Sequence, residues 1–213
     1  MNTERKGILI VVSGFSGAGK GTIMKQLLLE HEEQYALSVS ATTRSPRPGE
    51  VHGREYFFVS EEEFQAMIRD GQLIEYAKYV NHYYGTPRKY VEEKLALGKD
   101  VILEIEIQGA LQIKKNNPDT LLLFVTPPSA QELKNRLKGR GTEDEATIAS
   151  RLSRAVQEAQ GIEAYDYLVV NDDLNQCTKK VHDMIECEHD RIARNQEKIN
   201  SMRQELTGFV KGE

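Results

Sequence analysis

The chain of 213 residues is long enough for one large domain, and its 39% hydrophobic and 29% charged residues suit a folded globular protein. The formal net charge of −5 argues against nucleic-acid binding, since nucleic-acid binders usually carry a clustered basic excess. No apolar run approaches the roughly 20 residues that span a bilayer, and no signal-peptide cleavage pattern follows the first apolar stretch, so we expect a cytoplasmic protein that contacts no membrane.

The first apolar run, residues 8–12, predicts a buried strand and leads into the glycine-rich loop 14–22, GFSGAGKGT, which a helical pattern follows. A strand, a loop of this spacing and a helix predict a phosphate-binding loop, in which backbone N–H groups and Lys20 contact the phosphates of ATP. A glycine-rich turn without a ligand is disfavoured because the lysine, the spacing and the context agree. Gly21 stands where the general motif has Ser or Thr, so we expect Mg²⁺ to be held mainly by nucleotide phosphates and water, while Thr22 reaches a phosphate.

Residues 40–84 break the pattern that precedes them. They are rich in Arg, Pro, Gly and Tyr and carry short alternating segments, which predict an inserted subdomain with its own short strands. Within it, Ser60 and Glu63 form a capping box that predicts a helix start, and Gly71 predicts the end of that helix.

A second buried strand is predicted at residues 101–107. Glu104 and Glu106 lie two positions apart on it and would therefore face the same way. Two carboxylates near the end of a buried strand are costly unless they meet cations or ligands. They are candidates for ligand contacts, with structural salt bridges as the alternative.

Two further apolar runs, residues 121–125 and 167–170, complete four predicted parallel strands. Between them, Ser129 with Glu132 and Thr142 with Glu145 predict two helix starts. Strands that alternate with helices predict an α/β fold with a central parallel sheet, in which ligands bind beyond the carboxyl ends of the strands.

The tail from Lys179 onward predicts a highly charged helix that frays beyond Leu206. Three of its apolar residues are expected to pack inward: Val181, Ile185 and Ile192. The only two cysteines, Cys177 and Cys187, would lie about 15 Å apart along such a helix, too far for a disulfide, so we expect free thiols.

Six blocks in a fixed order carry a resemblance to a known family: GFSGAGKGT, SATTRSPRPGEVHGREYFF, LIEYAKYVNHYYGT, ILEIEIQGA, the segment from Leu133 through GRGTE to Arg154, and VVNDD. Over nearly its whole length the chain resembles the guanylate kinases. The resemblance implies a P-loop NTPase fold in a single domain, with a central parallel sheet flanked by helices. Its core would comprise residues 1–39, 97–138 and 155–213, with an inserted mixed α/β GMP-binding subdomain at 40–96 and a short lid at 139–154.

The resemblance also implies Mg²⁺-assisted transfer of the γ-phosphoryl group of ATP to GMP. The implied ATP site consists of Gly14, Phe15, Ser16, Gly17, Ala18, Gly19, Lys20, Gly21, Thr22 and Asn171. The implied GMP site consists of Ser40, Arg44, Arg47, Tyr56, Glu75, Tyr84, Thr86 and Glu106, with Glu104 ordering the water shell of Mg²⁺. The residues implied for catalysis are Lys20, Arg44, Arg136, Arg140 and Arg151. Arg154 is the weakest of the four arginines around the GRGTE turn, with an ordinary helix-surface charge as the alternative.

These assignments make chemical sense. The planar fork of an arginine matches phosphate oxygens. A carboxylate such as Glu75 can accept hydrogen bonds from N1–H and the 2-amino group of guanine, and adenine offers neither donor.

Three other kinds of protein share parts of this pattern. A kinase for another nucleoside monophosphate also has a GKGT loop, but the blocks around Glu75 and TTRSPR separate the two. A non-catalytic protein-binding scaffold of this family typically loses phosphate-binding residues, whereas Lys20 and the lid arginines are present here. A P-loop GTPase would need a guanine-reading loop that the sequence lacks.

Overall fold

The computed structural model describes residues 6–79, 81–139 and 144–211. Its strands are β1 (Leu9–Gly14), β2 (Tyr35–Leu37), β3 (Ala41–Thr42), β4 (Phe57–Phe58), β5 (Leu73–Tyr79), β6 (His82–Pro87), β7 (Asp100–Glu104), β8 (Leu121–Thr126) and β9 (Tyr167–Val170). Its α-helices are α1 (Lys20–Glu30), α2 (Glu61–Arg69), α3 (Arg88–Ala96), α4 (Ile107–Asn116), α5 (Ala130–Gly139), α6 (Glu145–Ala159), α7 (Leu174–His189) and α8 (Gln196–Lys211).

Five strands form the central parallel sheet, in the order β2-β7-β1-β8-β9. Val12 of β1 lies beside Glu104 of β7 and Leu123 of β8, so the strands end at one edge. Alternate residues of β1 bury against opposite faces: Val12 packs in a core with residues of α1 and α7, and Val11 packs in a second core with residues of α3 and α4. The predicted central parallel sheet flanked by helices is confirmed.

The sheet differs from prediction at two strands. Strand β2 was not predicted, because three residues are too few to show a periodic pattern. Strand β7 stops at Glu104 rather than at residue 107, because Glu106 has become the N-cap of α4. Glu104 and Glu106 therefore do not share one strand face, which corrects that expectation.

A second sheet, in the order β4-β3-β6-β5, confirms the prediction of short strands within residues 40–84. The predicted capping box of α2 is also confirmed: Ser60 Oγ accepts from the Glu63 N–H, and the Glu63 carboxylate accepts from the Ser60 N–H. Gly71 follows this helix at φ +65°, a backbone conformation that glycine adopts without steric cost.

The helices after residue 139 differ from the sequence-based prediction in three places. Helix α6 is capped by Asp144, whose carboxylate accepts from the Thr147 N–H, so the expected cap at Thr142 is wrong, and Thr142 itself lies outside the described residues. Val181 and Ile185 pack in the core as predicted, but Ile192 is 71% exposed because the charged tail breaks between α7 and α8. The expected fraying beyond Leu206 is also wrong, since α8 continues to Lys211.

Both cysteines are free, as predicted. Within the described ranges, no helix is both long enough and apolar enough to cross a membrane.

Candidate active site

The phosphate loop joins β1 to α1 at the carboxyl edge of the sheet. Gly17 and Gly19 hold φ angles of +95° and +91°, which let the chain curl tightly before α1 begins at Lys20. Lys20 Nζ donates hydrogen bonds to the carbonyl oxygens of Gly14, at 2.8 Å, and Phe15, at 3.3 Å. The lysine therefore folds over the loop, where its charge can meet the phosphates of a nucleotide.

Two residues from other elements support the loop from outside. The Asn171 side chain, just after β9, is buried and donates from Nδ2 to the Ala18 carbonyl oxygen at 2.8 Å. The Arg136 guanidinium on α5 donates to the Asn171 carbonyl oxygen at 2.9 Å and to that of Ala18 at 3.5 Å, and is held by Glu132 Oε1 at 2.8 Å. A Cβ at Gly19 would lie 2.4 Å from Asn171 Nδ2, so this close support requires glycine there.

A buried carboxylate lies across the cleft from the phosphate loop. Glu75 on β5 is 5% exposed, and its Oε1 accepts a hydrogen bond from Thr86 Oγ1 of β6 at 2.7 Å. Burial raises the pKa of Glu75 to about 7, partly offset by the hydrogen bond from Thr86, while the negative charge of Glu106 adds to the increase. Gly109 of α4 makes the room: a Cβ there would lie 2.8 Å from Glu75 Oε2.

An arginine cluster lies on the same side of the cleft. Arg44 donates to Glu50 Oε1 at 2.9 Å and to the Ser45 carbonyl oxygen at 2.7 Å. Its guanidinium carbon lies 5.3 Å from the ring centroid of Tyr56 and 5.7 Å from that of Phe58. These contacts fix the planar group, which leaves a positive charge beside the ring of Tyr56, a cleft-lining residue.

Arg47 and Tyr84 extend this cluster. The backbone N–H of Arg47 donates to Glu50 Oε2 at 2.8 Å, so one carboxylate holds both arginine-bearing segments. The Tyr84 ring meets the Tyr56 ring edge-on, with centroids 6.0 Å apart. Glu50 lies inside the TTRSPRPGE block, but sequence reasoning gave it no role.

Two carboxylates line the cleft from different elements: Glu104 is the last residue of β7, and Glu106 is the N-cap of α4. Glu104 lies near Lys20; burial raises its pKa, and the positive charge of Lys20 opposes that increase. Glu106 Oε1 accepts from the Gly109 N–H at 2.9 Å and caps α4. One carboxylate oxygen of Glu106, Oε1, therefore caps α4. The other oxygen, Oε2, can accept a hydrogen bond from a ligand.

Helix α6 supplies the facing wall, with three cleft-lining residues at helical spacing: Arg151, Arg154 and Glu158. Arg154 Nε donates to Glu158 Oε1 at 3.0 Å, so Arg154 is a cleft residue rather than an ordinary surface charge. Glu158 Oε2 is buried and has no hydrogen-bond partner among the described residues. Sequence reasoning missed Glu158, although its position four residues after Arg154 on one helix was a usable signal.

Phe124 and Ser13 also line the cleft, and sequence reasoning missed them together with Tyr165, which packs against Phe124. The Tyr165 ring packs edge-on against Phe124, with centroids 5.1 Å apart, and burial raises the pKa of Tyr165 to about 12. Ser13 Oγ donates to the Ile105 carbonyl oxygen at 2.8 Å, which ties β1 to the turn after β7. No local sequence signal marked these residues, because their meeting depends on strand order.

These parts surround one cleft of about 400 Å³, within the size range of small-molecule sites. It is lined by predicted residues of both halves of the site: Gly14, Ser16, Lys20, Ser40, Tyr56, Glu75, Tyr84, Glu104, Glu106 and Arg151. Other predicted residues stand behind this lining and hold it: Thr86 behind Glu75, and Arg136 and Asn171 behind the phosphate loop. Arg140 lies outside the described residues.

Comparisons with known proteins agree with this geometry. The family model for guanylate kinase matches residues 6–188. A guanylate kinase of Oceanobacillus iheyensis is 52% identical over 199 residues, which cover 92% of this chain and 96% of that protein. A guanylate kinase of Streptococcus thermophilus is 51% identical over 191 residues, which cover 90% and 91%. The crystal structure of guanylate kinase from Anaplasma phagocytophilum superposes with a TM-score of 0.71 at 31% identity, covering 88% of this chain and 89% of that one.

Proposed function

Because the chain belongs to the guanylate kinase family and phosphorylates GMP with ATP, we propose how its own residues divide that reaction between them. Residues 40–96 bind GMP, residues 139–154 form a lid, and the remaining residues are the core that binds ATP. The observation that carries the proposal is that one cleft is lined by the phosphate-loop residues Gly14 and Lys20 and by the buried carboxylate of Glu75.

At the ATP end, the loop 14–22 surrounds the β- and γ-phosphates with backbone N–H groups, and the N-terminus of α1 adds its dipole. Lys20 exchanges its bonds to the Gly14 and Phe15 carbonyl oxygens for phosphate oxygens. Asn171 and Arg136 act as positioning residues that keep the loop in its curled form, and Asn171 is also close to where the adenine would lie.

At the GMP end, the ionised Glu75 accepts hydrogen bonds from N1–H and the 2-amino group of guanine, while Thr86, Ser40 and Tyr84 complete the guanine pocket. AMP would leave the buried carboxylate without donors, which is the physical reason for its rejection. Four residues serve the phosphate and ribose side: Arg44, Arg47, Tyr56 and Glu106.

The donor set fits Mg²⁺ held mainly by the substrates. Glu104 offers one carboxylate near Lys20, and Gly21 offers no side-chain oxygen, which matches an ion that keeps several waters. Glu104 would hold the ion through a water molecule. When bound, Mg²⁺ neutralises charge on the β- and γ-phosphates of ATP.

In the transfer step, an oxygen of the GMP phosphate attacks the γ-phosphorus, and the bond to the oxygen that bridges the β- and γ-phosphates breaks, which releases ADP. A phosphate oxygen is already a competent nucleophile, so positioning and charge neutralisation do most of the work. Arg151 contacts the moving phosphoryl group, and Glu158 orients Arg154 toward it. We propose the same contact for Arg140.

The test is ADP production from ATP and Mg²⁺, with GMP, AMP, UMP and CMP as separate acceptors. Turnover with GMP alone supports the guanine pocket around Glu75. Equal turnover with AMP would contradict that pocket, and no turnover with any acceptor would favour a binding scaffold. The cytoplasmic location and the lack of nucleic-acid and membrane binding stay predictions from the sequence.

A further inference from the structure

The loop between β3 and β4 contains the sequence RSPRPGE, residues 44–50. In the proposed function, Arg44 and Arg47 of this loop serve the phosphate of GMP, and Glu50 follows them. A carboxylate close to a bound phosphate repels it, because like charges raise each other's energy. The presence of Glu50 beside this site is therefore explained only by another contribution that it makes.

A tight turn brings Glu50 back to Arg47. The Glu50 N–H donates to the Arg47 carbonyl oxygen at 3.0 Å, and Gly49 between them has a φ of +86°. Pro48 and Gly49 stand at the second and third positions of this turn, as a type II turn favours. The Glu50 side chain folds back over the turn, where its Oε2 accepts from the Arg47 N–H at 2.8 Å. The sequence RPGE therefore specifies both the turn and the position of the carboxylate.

The same carboxylate orients the Arg44 guanidinium. Arg44 Nη2 donates to Glu50 Oε1 at 2.9 Å, and Arg44 Nη1 donates to the Ser45 carbonyl oxygen at 2.7 Å. The two side chains of the ion pair are only 14% and 18% exposed, so solvent screens the pair less than it screens a pair on an open surface. A guanidinium carries five N–H donors, so these bonds leave donors for phosphate oxygens.

The carboxylate is charged at neutral pH, and its bond to Arg44 is directional. The hydrogen bond from the Arg47 N–H, together with the Arg44 guanidinium, holds the pKa of Glu50 below its ordinary value. The rings of Tyr56 and Phe58 also contact the guanidinium of Arg44, but a ring face offers no single acceptor atom. The charge-assisted hydrogen bond to Glu50 therefore helps to set where the remaining N–H groups of Arg44 point.

A second carboxylate in the same loop makes the same kind of contacts to a different arginine. Glu55 Oε2 accepts from the Val51 N–H at 2.7 Å, and Glu55 Oε1 accepts from Arg54 Nε at 2.6 Å. Like Glu50, it joins a backbone N–H to an arginine side chain. Comparing the two carboxylates therefore separates an effect on phosphate binding from a general effect on the order of the loop.

We propose that Glu50 is a positioning residue for the acceptor phosphate, because it holds the Arg44 guanidinium and the Arg47 backbone in the arrangement that binds the phosphate of GMP. This inference rests on the proposed function of Arg44 and Arg47. Two effects oppose each other, since the charge of Glu50 repels the phosphate while its hydrogen bonds orient the arginines. The ion pair with Arg44 at 2.9 Å largely cancels the repulsion, so orientation is the larger effect.

The first test is steady-state kinetics of the Glu50→Gln variant with each substrate varied in turn. The amide keeps the size of the side chain but presents one oxygen instead of two, so it holds the two arginine segments less well. We expect the KM for GMP to rise about tenfold and the KM for ATP to change little.

Glu55→Gln is the matched control and should leave both KM values unchanged. An unchanged or lowered KM for GMP in Glu50→Gln would overturn the proposal, because the carboxylate would then act only as a repelling charge. An equal rise in Glu55→Gln would also overturn it, because the order of the whole loop would then be responsible.

The second test separates the phosphate from the base. Guanosine has the base and the ribose of GMP but no phosphate, so its inhibition constant in competition with GMP reports the rest of the acceptor site. Glu50→Gln should leave that constant unchanged, and circular dichroism checks the fold. A rise in the guanosine constant as large as the rise in the KM for GMP would overturn the proposal, since Glu50 would then support the whole subdomain.

The third test distinguishes a failure of this inference from a failure of the proposed function. Arg44→Ala should itself raise the KM for GMP, and adding Glu50→Gln to it should raise the KM by less than about tenfold, since part of the effect passes through Arg44. A native KM in Arg44→Ala would contradict the proposed phosphate role of Arg44. A normal effect of Arg44→Ala with a full effect of Glu50→Gln in both backgrounds would keep that role and overturn the positioning of Arg44 by Glu50.

Discussion

Glu75 and Gly109 approach so closely that a Cβ on Gly109 would stand 2.8 Å from Glu75 Oε2. The carboxylate comes from β5 and the glycine from the first turn of α4, so two elements distant in sequence form one wall of the proposed guanine pocket. If Glu75 reads the acceptor base as proposed, the missing side chain at position 109 is part of acceptor recognition.

Gly109→Ala should displace the Glu75 carboxylate and raise the KM for GMP about tenfold, since a group moved by a fraction of an ångström loses well-aligned hydrogen bonds. The KM for ATP should change little. Steady-state kinetics with each substrate varied in turn measure both values. Gly208→Ala is the control, because a Cβ there meets nothing within 4 Å. A rise in the KM for ATP alone would contradict the placement of Glu75 at the acceptor.

Glu75→Gln should raise the KM for GMP about 100-fold, because the amide offers one acceptor and a misplaced donor where guanine presents two donors. The fold should persist, since Gln retains an oxygen for the Thr86 hydroxyl. Glu62→Gln, an exposed change on α2, is the matched control. If the Glu75→Gln variant still used GMP at the native KM, another group would have to read the base.

The affinity for GMP should depend on pH through Glu75. Its pKa of about 7 means that the carboxyl takes up a proton as the pH falls through neutrality, and the protonated form is a poorer acceptor for guanine. Affinity should therefore be highest above pH 7 and fall about tenfold between pH 8 and pH 6.

Isothermal titration with GMP at several pH values measures this dependence. The Glu75→Gln variant supplies the baseline, since it lacks the Glu75 carboxyl but retains the titration of the GMP phosphate and of the other protein groups. Identical pH profiles for the native chain and the variant would contradict the assignment to Glu75.

Lys20→Ala should lower kcat by about 10³-fold or more, because the lysine neutralises charge on the transferred group. Lys25→Ala on the exposed side of the same helix is the control and should keep native activity. Circular dichroism checks that both variants are folded. Near-normal turnover of the Lys20→Ala variant would remove the phosphate-loop assignment.

Replacing Arg136 and replacing Arg151 should change different kinetic constants. Arg151 lines the cleft, so Arg151→Ala should lower kcat about 100-fold with little change in the KM for ATP. Arg136 contacts the Asn171 and Ala18 carbonyl oxygens, so Arg136→Ala should loosen the phosphate loop and raise the KM for ATP about tenfold. Arg69→Ala, on the exposed end of α2, is the control for loss of a positive charge. A kcat effect without a KM effect for Arg136→Ala would place that guanidinium on the phosphoryl group instead.

Features set by neighbours along the chain were predictable from the sequence. The phosphate loop between β1 and α1 and the capping box of Ser60 depend on contacts within a few residues, so spacing alone is informative. Four of the five central strands were visible as apolar runs. In β1, β7 and β8 the reason is burial on both faces, which leaves no polar alternation. Strand β9 is apolar in sequence, but of its residues only Val169 is buried. The fifth, β2, was too short to leave such a trace.

The tertiary structure alone decided which of these pieces meet. Glu104 faces the cleft from the end of β7, and Glu106 faces it from the N-cap of α4, because the chain turns between them. The hydrophobic periodicity of the sequence does not predict that turn. The burial of Glu75 against Gly109 depends on how two elements 34 positions apart pack, and a sequence gives no distance between them. A local sequence pattern predicts hydrogen bonds between near neighbours and which residues are buried. The distances within a site and its raised pKa values depend instead on how distant segments pack together.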